Sequence, residues 1–427
     1  MTATFATEST PLPMTPSAAD RSSALGISSA AGTSSAASTS AAVANRTARP
    51  MRSTNPLSSA RSLSGAQLSA DDLQYCRRSL NNGSRSFLAA SYLLPAQVRH
   101  AATALYAFCR EADDLVDLGD DQSSALAEVR SRVDRVYGDD ALDSAADRAL
   151  RCVVRHYHLP QTLLTALIEG FEWDVSDRRY QTLADVEDYA ARVAGTVGAL
   201  MSLLMGARDP SVVARACDLG VAMQLTNICR DVGEDARAGR CYLPLQWLQE
   251  AGVESDEILA TQSQQGISHV VYRMLSRAAE LYHRADSGLA VLPFNCQRGI
   301  RMARHLYASI GDEIARLNYE NLHTRAFVSG RRKCALLAKH WHGGPACRRE
   351  VLHLPALAST QWLVDAVTQS PVNAPIDIYQ GLLQRSGSTS DELVTVLRVI
   401  DRLENVKRTQ LQAGTGKVPL GFAGVVR

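Results

Sequence analysis

Two clusters of acidic residues in this chain share one spacing. The first reads Arg110-Glu-Ala-Asp113-Asp114-Leu-Val-Asp117 and the second Asn227-Ile-Cys-Arg230-Asp231-Val-Gly-Glu-Asp235, so each holds aspartates four residues apart. On a helix turning roughly 100° per residue, carboxylates so placed point the same way about 6 Å apart. That is near enough to share divalent cations bridged by a diphosphate. Two such pairs facing across a cavity would make a site that ionises a diphosphate. With Asp113 at zero on the wheel, Tyr106 falls near about 20°, Asp117 near about 40° and Arg110 near about 60°, while Leu105, Ala112 and Val116 share a flank that can pack inward. With Asn227 at zero, Asp231, Gln224 and Asp235 fall near about 40°, 60° and 80°. Amides and carboxylates are hard oxygen ligands, suited to Mg²⁺, with Mn²⁺ as an alternative, rather than to zinc or copper.

One such motif would read as a solvated helix face, but two weaken that reading. Like-charged aspartates at this spacing destabilise a bare helix by roughly a few tenths of a kcal/mol, which bound cations would recover. Gly233, inside the second cluster, costs about 1 kcal/mol relative to Ala and points to a local bend or a closely approaching ligand. Cys109 and Cys229 sit within the motifs with no His beside them, so they read as packing rather than as nucleophiles. His156 with His158, and His340 with His342, stand two apart and point away from each other on a helix, which argues against a metal site.

The elements that must position these groups read as helices. From Asp71 onward, apolar residues recur at three and four spacing, without alternating β-branched strands or hairpin turns. A helix start is expected at Ser69-Ala-Asp71-Asp72 and a break at Arg208-Asp209-Pro210. Helices are expected over Val98–Val116, Ser123–Tyr137, Gln161–Trp173, Leu183–Met205, Val212–Glu234, Val271–Ala290, Cys296–Asn318 and Ser329–His340, making residues 71–343 an all-α domain. Residues 344–427 form a C-terminal extension without an assigned role, with one more helical stretch at Ser390–Gln412. Residues 1–70 hold 25 Ser/Thr and 16 Ala with two acids, a composition that cannot offset chain entropy by burial and is expected to be disordered. Its Arg-plus-Ser character also fits an organelle transit peptide, which would send the protein to a plastid. A low-complexity bacterial extension, or translation beginning at Met51, fits equally.

Over 427 residues, 45 basic and 44 acidic side chains leave a net charge of +1, which gives no electrostatic reason to expect nucleic acid as a partner. Only four of the basic residues are lysine; arginine suits bidentate phosphate contact. Nine cysteines without a CxxC pair argue for a reducing, cytoplasmic setting and against a disulfide framework or structural zinc. No stretch reaches the roughly 18 apolar residues of a membrane span; Val197 to Ala207 is short enough to be a buried helix.

The string Asn227 to Pro244, NICRDVGEDARAGRCYLP, resembles the second aspartate-rich signature of the squalene and phytoene synthase family. Ser84-Arg-Ser86-Phe87, Tyr106 to Asp117, Tyr180, and Tyr189-Ala-Ala-Arg192-Val-Ala-Gly195-Thr196-Val-Gly198 match further family motifs in order, covering about residues 75–340. The likeness is nearer to the phytoene-forming branch. The resemblance implies an all-α isoprenoid synthase fold, a helical bundle with two acidic helices at the mouth of an apolar cavity. It implies Mg²⁺-dependent head-to-head condensation of two geranylgeranyl diphosphates, through a cyclopropyl diphosphate, to phytoene of the carotenoid pathway. It also implies that Asp113, Asp117, Asp231 and Asp235 hold the metal with Asn227 and Gln224 assisting, and that Arg110 and Arg230 neutralise phosphate oxygens. Tyr106 and Tyr189 would steady cations or position diphosphate, and Ser84, Ser86 and Phe87 would form a flap. The family often has His just before that serine, where this chain has Gly83. Tyr307, Arg325 and Arg331 are later candidates by the same resemblance.

Alternatives stay open at this level. Squalene, dehydrosqualene or presqualene diphosphate synthases act on the C15 substrate; squalene synthases usually carry a C-terminal membrane helix and use NADPH. Neither a spanning helix nor a Gly-rich dinucleotide fingerprint is visible, so no NADPH is expected. A non-catalytic assembly-factor relative should have lost carboxylates from one motif, and both are intact. Peripheral membrane association is expected because the substrate tails and product are oily. The sequence leaves the oligomeric state open.

Overall fold

Asp209 and Pro210 begin the helix on which the second acidic motif rides: the Asp209 carboxylate accepts hydrogen bonds from the amides of Ser211 (2.9 Å) and Val212 (3.3 Å), and proline takes the first helical position. In the computed structural model, residues 68–83, 88, 90–118, 121–320, 322–323, 325–341 and 347–370 are described. All belong to one unit, Ser62–Arg427. Among the described residues there is no strand. The helices are α1 (Ala70–Gly83), α2 (Ala96–Leu118), α3 (Gln122–Tyr137), α4 (Ala145–Tyr157), α5 (Gln161–Val175), α6 (Leu183–Ala190), a π turn (Ala191–Gly195), α7 (Thr196–Leu204), α8 (Pro210–Arg237), α9 (Leu245–Glu250), α10 (Gln264–Leu289), α11 (Phe294–Arg316), α12 (Gly330–His340), α13 (Arg349–Leu352) and α14 (Gln361–Thr368).

Helix α8 is the hub. It packs against α10 most extensively, and also against α6, the π turn, α7, α11, α13 and α14, while α2 packs among α1, α3, α4, α5 and α7. Every helix expected from periodicity in the described residues is present, with ends shifted by a few residues. One expectation needs correction: Leu183–Met205 is not one uniform helix. It widens into the π turn, where the Thr196 hydroxyl donates to the carbonyls of Ala191 (2.9 Å) and Arg192 (2.6 Å), satisfying backbone that the bulge would strand. Helix α4, absent from the expectations, starts at a readable signal: the Ser144 hydroxyl accepts from the amide of Ala146 at 3.1 Å. The expected helix at Ser390–Gln412 and residues 1–67 lie outside the described residues.

Gly233 also has a different reason from the one expected. Helix α8 runs through it without interruption, and a Cβ there would stand 1.8 Å from the carbonyl oxygen of Leu322. A passing backbone, not a ligand or a bend, demands the glycine. Among the described residues no helix is long and apolar enough to cross a membrane. All nine cysteines are free thiols, and burial pushes those of Cys109 and Cys229 well above their ordinary range, in keeping with packing.

Candidate active site

The apolar flank of α2 fixes the direction of its acidic face. Leu105, Ala112 and Val116 are buried, as are Tyr106 and Asp113, while Arg110, Asp114 and Asp117 are half-buried. Arg110 folds over its own motif: Nη1 lies 3.6 Å from Asp113, and Nε and Nη2 hold Asp114 at 3.0 and 2.6 Å. Burial, with Asp113 and Asp114 nearby, raises the Tyr106 hydroxyl above its ordinary range, Arg110 opposing, so it stays a neutral donor.

On α8, Gln224 and Asn227 are buried and joined by a 3.4 Å hydrogen bond from Asn227 Nδ2. The Asn227 Oδ1 is buried and accepts no hydrogen bond. Arg230 grips Asp231 with Nε at 2.8 Å and Nη2 at 2.5 Å. Arg325 adds a second grip, 2.9 Å to Asp231 and 3.2 Å to Glu234. Arg110 and Arg230, expected to meet phosphate oxygens, are therefore engaged by carboxylates of their own motifs. Burial pushes the Asp235 carboxyl well above the usual carboxylate range, with Asp231, Asp174 and Glu234 adding and Arg240 opposing.

Asp174 on α5 and Arg240 beyond α8 tie the two motifs together, and neither stood out in the sequence. The Asp174 carboxylate accepts the hydroxyls of Tyr242 at 2.7 Å and Tyr189 at 3.1 Å. Burial raises it to about 6, Asp117 adding to the rise while Tyr242, Arg240 and Tyr189 oppose it. Burial works against the Arg240 guanidinium, yet Tyr242, Asp174 and Asp117 hold it above its ordinary value. Asp117 from α2 and Asp235 from α8 thus share Asp174 and Arg240 as common neighbours. The rings of Tyr180, Tyr189 and Tyr242 enclose this centre at centroid separations of 5.1, 5.4 and 6.1 Å. Tyr189, engaged by Asp174 and held well above its ordinary value first by burial, is a donor here and not a base. Arg240 and Tyr242 stand inside the string Asn227 to Pro244, whereas Asp174 has no paired spacing that would reveal it.

Raising Asp174 has a measurable consequence. The folded protein keeps a proton on this carboxyl that the unfolded chain releases near its ordinary 3.8, so stability falls as pH rises from about 4 to about 6. The loss is about 3 kcal/mol at 1.4 kcal/mol per unit. Urea unfolding across that window is expected to show this decline, and Asp174→Asn to flatten it.

An apolar cavity of about 140 Å³ opens beside the second acidic motif. Its walls come from the π turn, α7, α8, α10 and α11 and from Ala90, Ser91, Leu94, Met205 and Leu292. Tyr307 lines it and also lies close enough to Arg230 and Asp231 to feel both charges, so one end of the cavity meets the second acidic motif. On α8 the lining runs from Met223 back through Gly220, Leu219, Ala216 and Arg215 to Val212. At 1.5 Å per residue that stretch of the axis is about 17 Å long. Arg331 is exposed on α12, away from these contacts. Ser84, Ser86 and Phe87 lie outside the described residues.

The donor set fits a hard divalent cation that a ligand helps to hold. Among the described residues no three His, Cys, Asp or Glu side chains converge to cage an ion. Mg²⁺ does not need such a cage, because it keeps several waters and takes one or two carboxylates together with substrate phosphates. Asp113 and Asp117 on one side, Asp231 and Asp235 on the other, and the unused Asn227 Oδ1 offer oxygen alone, which suits that ion and not zinc.

A profile of the squalene/phytoene synthase family matches residues 80–332. The phytoene synthase of Rhodobacter capsulatus is 48% identical over 271 residues, covering 62% of this chain and 80% of that protein. The phytoene synthase of Cereibacter sphaeroides is 46% identical over 320 residues, covering 71% and 90%. Among solved structures, a dehydrosqualene synthase superposes with a TM-score of 0.58 at 27% identity, covering 64% of this chain and 95% of that one. The squalene synthase of Alicyclobacillus acidocaldarius gives 0.56 at 27% identity, covering 58% and 95%. The helical bundle is the isoprenoid synthase fold, and the chain, a prenyltransferase, belongs to the squalene/phytoene synthase family.

Proposed function

We propose that this chain joins two geranylgeranyl diphosphates head to head to form phytoene with release of diphosphate. The observation that carries the reading is an apolar cavity lined for about 17 Å along α8 and joined through Tyr307 to the second acidic motif. An extended chain advances roughly 1.2 Å per bond, so the four isoprene units of a C20 tail reach about 19 Å and the three of a C15 tail about 14 Å. The lining length falls between the two, and relatives at 46–48% identity carry the name phytoene synthase, which favours the longer tail.

In this reading Asp113, Asp117, Asp231, Asp235 and Asn227 would hold Mg²⁺, which supplies Lewis-acid stabilisation of the departing diphosphate. Arg110, Arg230 and Arg325 are poised to exchange a carboxylate partner for a phosphate oxygen, spreading charge that grows as the carbon–oxygen bond breaks. Tyr307 stands where the second motif meets the cavity and Tyr106 beside Asp113 of the first, and a ring face at either would steady an allylic cation. Asp174 and Tyr242 fix the Tyr189 ring, and the apolar walls exclude the water that would trap the cation. Attack by the second substrate's double bond, with loss of a proton, gives the cyclopropyl diphosphate, and departure of its diphosphate, rearrangement and a second proton loss give the conjugated triene. Cytoplasmic location with peripheral membrane contact fits oily substrates and product.

Incubating purified protein with Mg²⁺ and either C15 or C20 prenyl diphosphate, with and without NADPH, tests the reading. Phytoene from the C20 substrate without NADPH is expected. Product from the C15 substrate alone would overturn it.

A further inference from the structure

We propose that the turn at 90–95, the start of α11 and the end of α12 together form a docking face for an anionic bilayer. The proposal deepens the membrane contact of the reading above by naming the face and the headgroup charge it takes.

Charge is spread unevenly along this near-neutral chain. Residues 73–110, 287–311 and 321–349 carry 15 Lys and Arg and no Asp or Glu, while the remainder carries 30 basic and all 44 acidic side chains. The net charge of +1 therefore conceals a basic part and an acidic part. The fold gathers the three basic segments. Leu93, Met302, Leu306 and Leu337, drawn from all three, form one small buried cluster with Tyr92 and Trp341 packed on it. A Cβ on Gly299 would stand 2.7 Å from Leu94, so α11 lies directly on the turn. Several of the cations are engaged within the protein: Arg110 and Arg325 grip the acidic motifs, Arg304 holds Asp286, and Arg332 holds Asp312 and Glu313. The last two carboxylates sit at the far end of α11, which leaves its start basic. There Arg99 lies over the Tyr92 ring at 5.5 Å and Arg298 over the Trp341 ring at 4.7 Å. Lys339, two residues before Trp341, is exposed.

The same corner presents apolar side chains to water. Phe294 is 83% exposed and Val291 42%. Leu292, between them, is buried and lines the cavity together with Leu94 and Ile300. From Phe294 to Tyr307, at the second acidic motif, α11 rises about 20 Å. The exposed ring thus stands at one end of a cavity wall whose other end meets the acidic motif. Exposed apolar side chains beside cations set on aromatic rings have the composition of an interfacial anchor. Phe294 and Val291 would enter the boundary between headgroups and acyl chains, while Arg298, Arg99 and Lys339 meet lipid phosphates. A nucleic acid would meet the cations but leave Phe294 and Val291 in water. Docking this way seats the Leu292 end of the cavity against lipid, where an oily tail or product has the least water to cross.

Cosedimentation of the full chain with vesicles, without substrate, tests the face. Wild type is expected to bind vesicles of mixed phosphatidylglycerol and phosphatidylcholine, to bind phosphatidylcholine alone weakly, and to lose the difference at high salt. Phe294→Ser is expected to weaken partitioning onto the mixed vesicles about tenfold. Lys339→Glu is expected to weaken it about twentyfold, at about fivefold per unit of charge. Both side chains are exposed, so both variants are expected to melt as wild type does. Failure of wild type to bind the mixed vesicles, or wild-type partitioning in either folded variant, would overturn the assignment. So would binding to a DNA duplex in place of vesicles, or a dimer that Phe294→Ser dissociates while vesicle binding persists. The reaction is judged apart: a chain that binds through these residues yet makes no phytoene from the C20 substrate keeps the face and loses the condensation reading.

Discussion

Replacing Asp231 by alanine is expected to lower kcat for the condensation by about 10³-fold. In the structure this carboxylate is gripped by Arg230 and by Arg325. Losing it therefore removes a metal ligand and the group that places two guanidiniums. Both act where charge develops on the leaving diphosphate, so kcat and kcat/KM should fall together, with KM little changed. Asp231→Asn separates the roles. It keeps an oxygen that accepts from Arg230 but loses the negative charge, so it should restore thermal stability while leaving activity near the alanine level. Steady-state rates with saturating Mg²⁺ and C20 diphosphate, alongside melting curves, check both outcomes. Condensation near the wild-type rate in either variant would remove Asp231 from the site.

The residues that were legible in the sequence have one property in common: their spacing is local. Asp113 with Asp117, and Asn227 with Asp231 and Asp235, repeat at a helical interval, and the apolar flank of Leu105, Ala112 and Val116 tells which way each face must turn. The helices could be read for the same reason, since period alone indicates them. What escaped notice is long-range. Asp174 sits 57 residues beyond Asp117 with no second aspartate four residues away, and only the fold brings it to Tyr189, Tyr242 and Arg240. Arg215 reads as one arginine among many, because its meaning comes from carbonyls about 136 to 140 positions away. Gly233 was visible as an oddity, but its cause, the Leu322 backbone, was not. Local pattern thus picks out the candidate ligands of the site. Tertiary packing decides which charges they face and how deep the cavity runs.

The same long-range packing makes Gly220 a costly residue to change. A Cβ there would stand 2.1 Å from the carbonyl oxygen of Ala194, 2.6 Å from its carbon and 2.9 Å from the amide nitrogen of Gly195. All three are backbone atoms, so no side-chain rotation relieves the clash, and α8 must move away from the π turn. Overpacking of this kind costs about 3 kcal/mol when the neighbours cannot yield. Both elements line the cavity, Ala194 from one side and Gly220 from the other. Separation would also shift Thr196 from the carbonyls it satisfies and tilt the α8 face that carries Asn227 and Asp231. Gly220→Ala is therefore expected to lower Tm by roughly 6–10 °C and kcat/KM by about a hundredfold, since roughly 1 Å of misplacement is enough for a loss of that size. Calorimetry and initial rates on the purified variant check the pair. A variant that melts and turns over like wild type would mean that α8 and the π turn are not in the contact described.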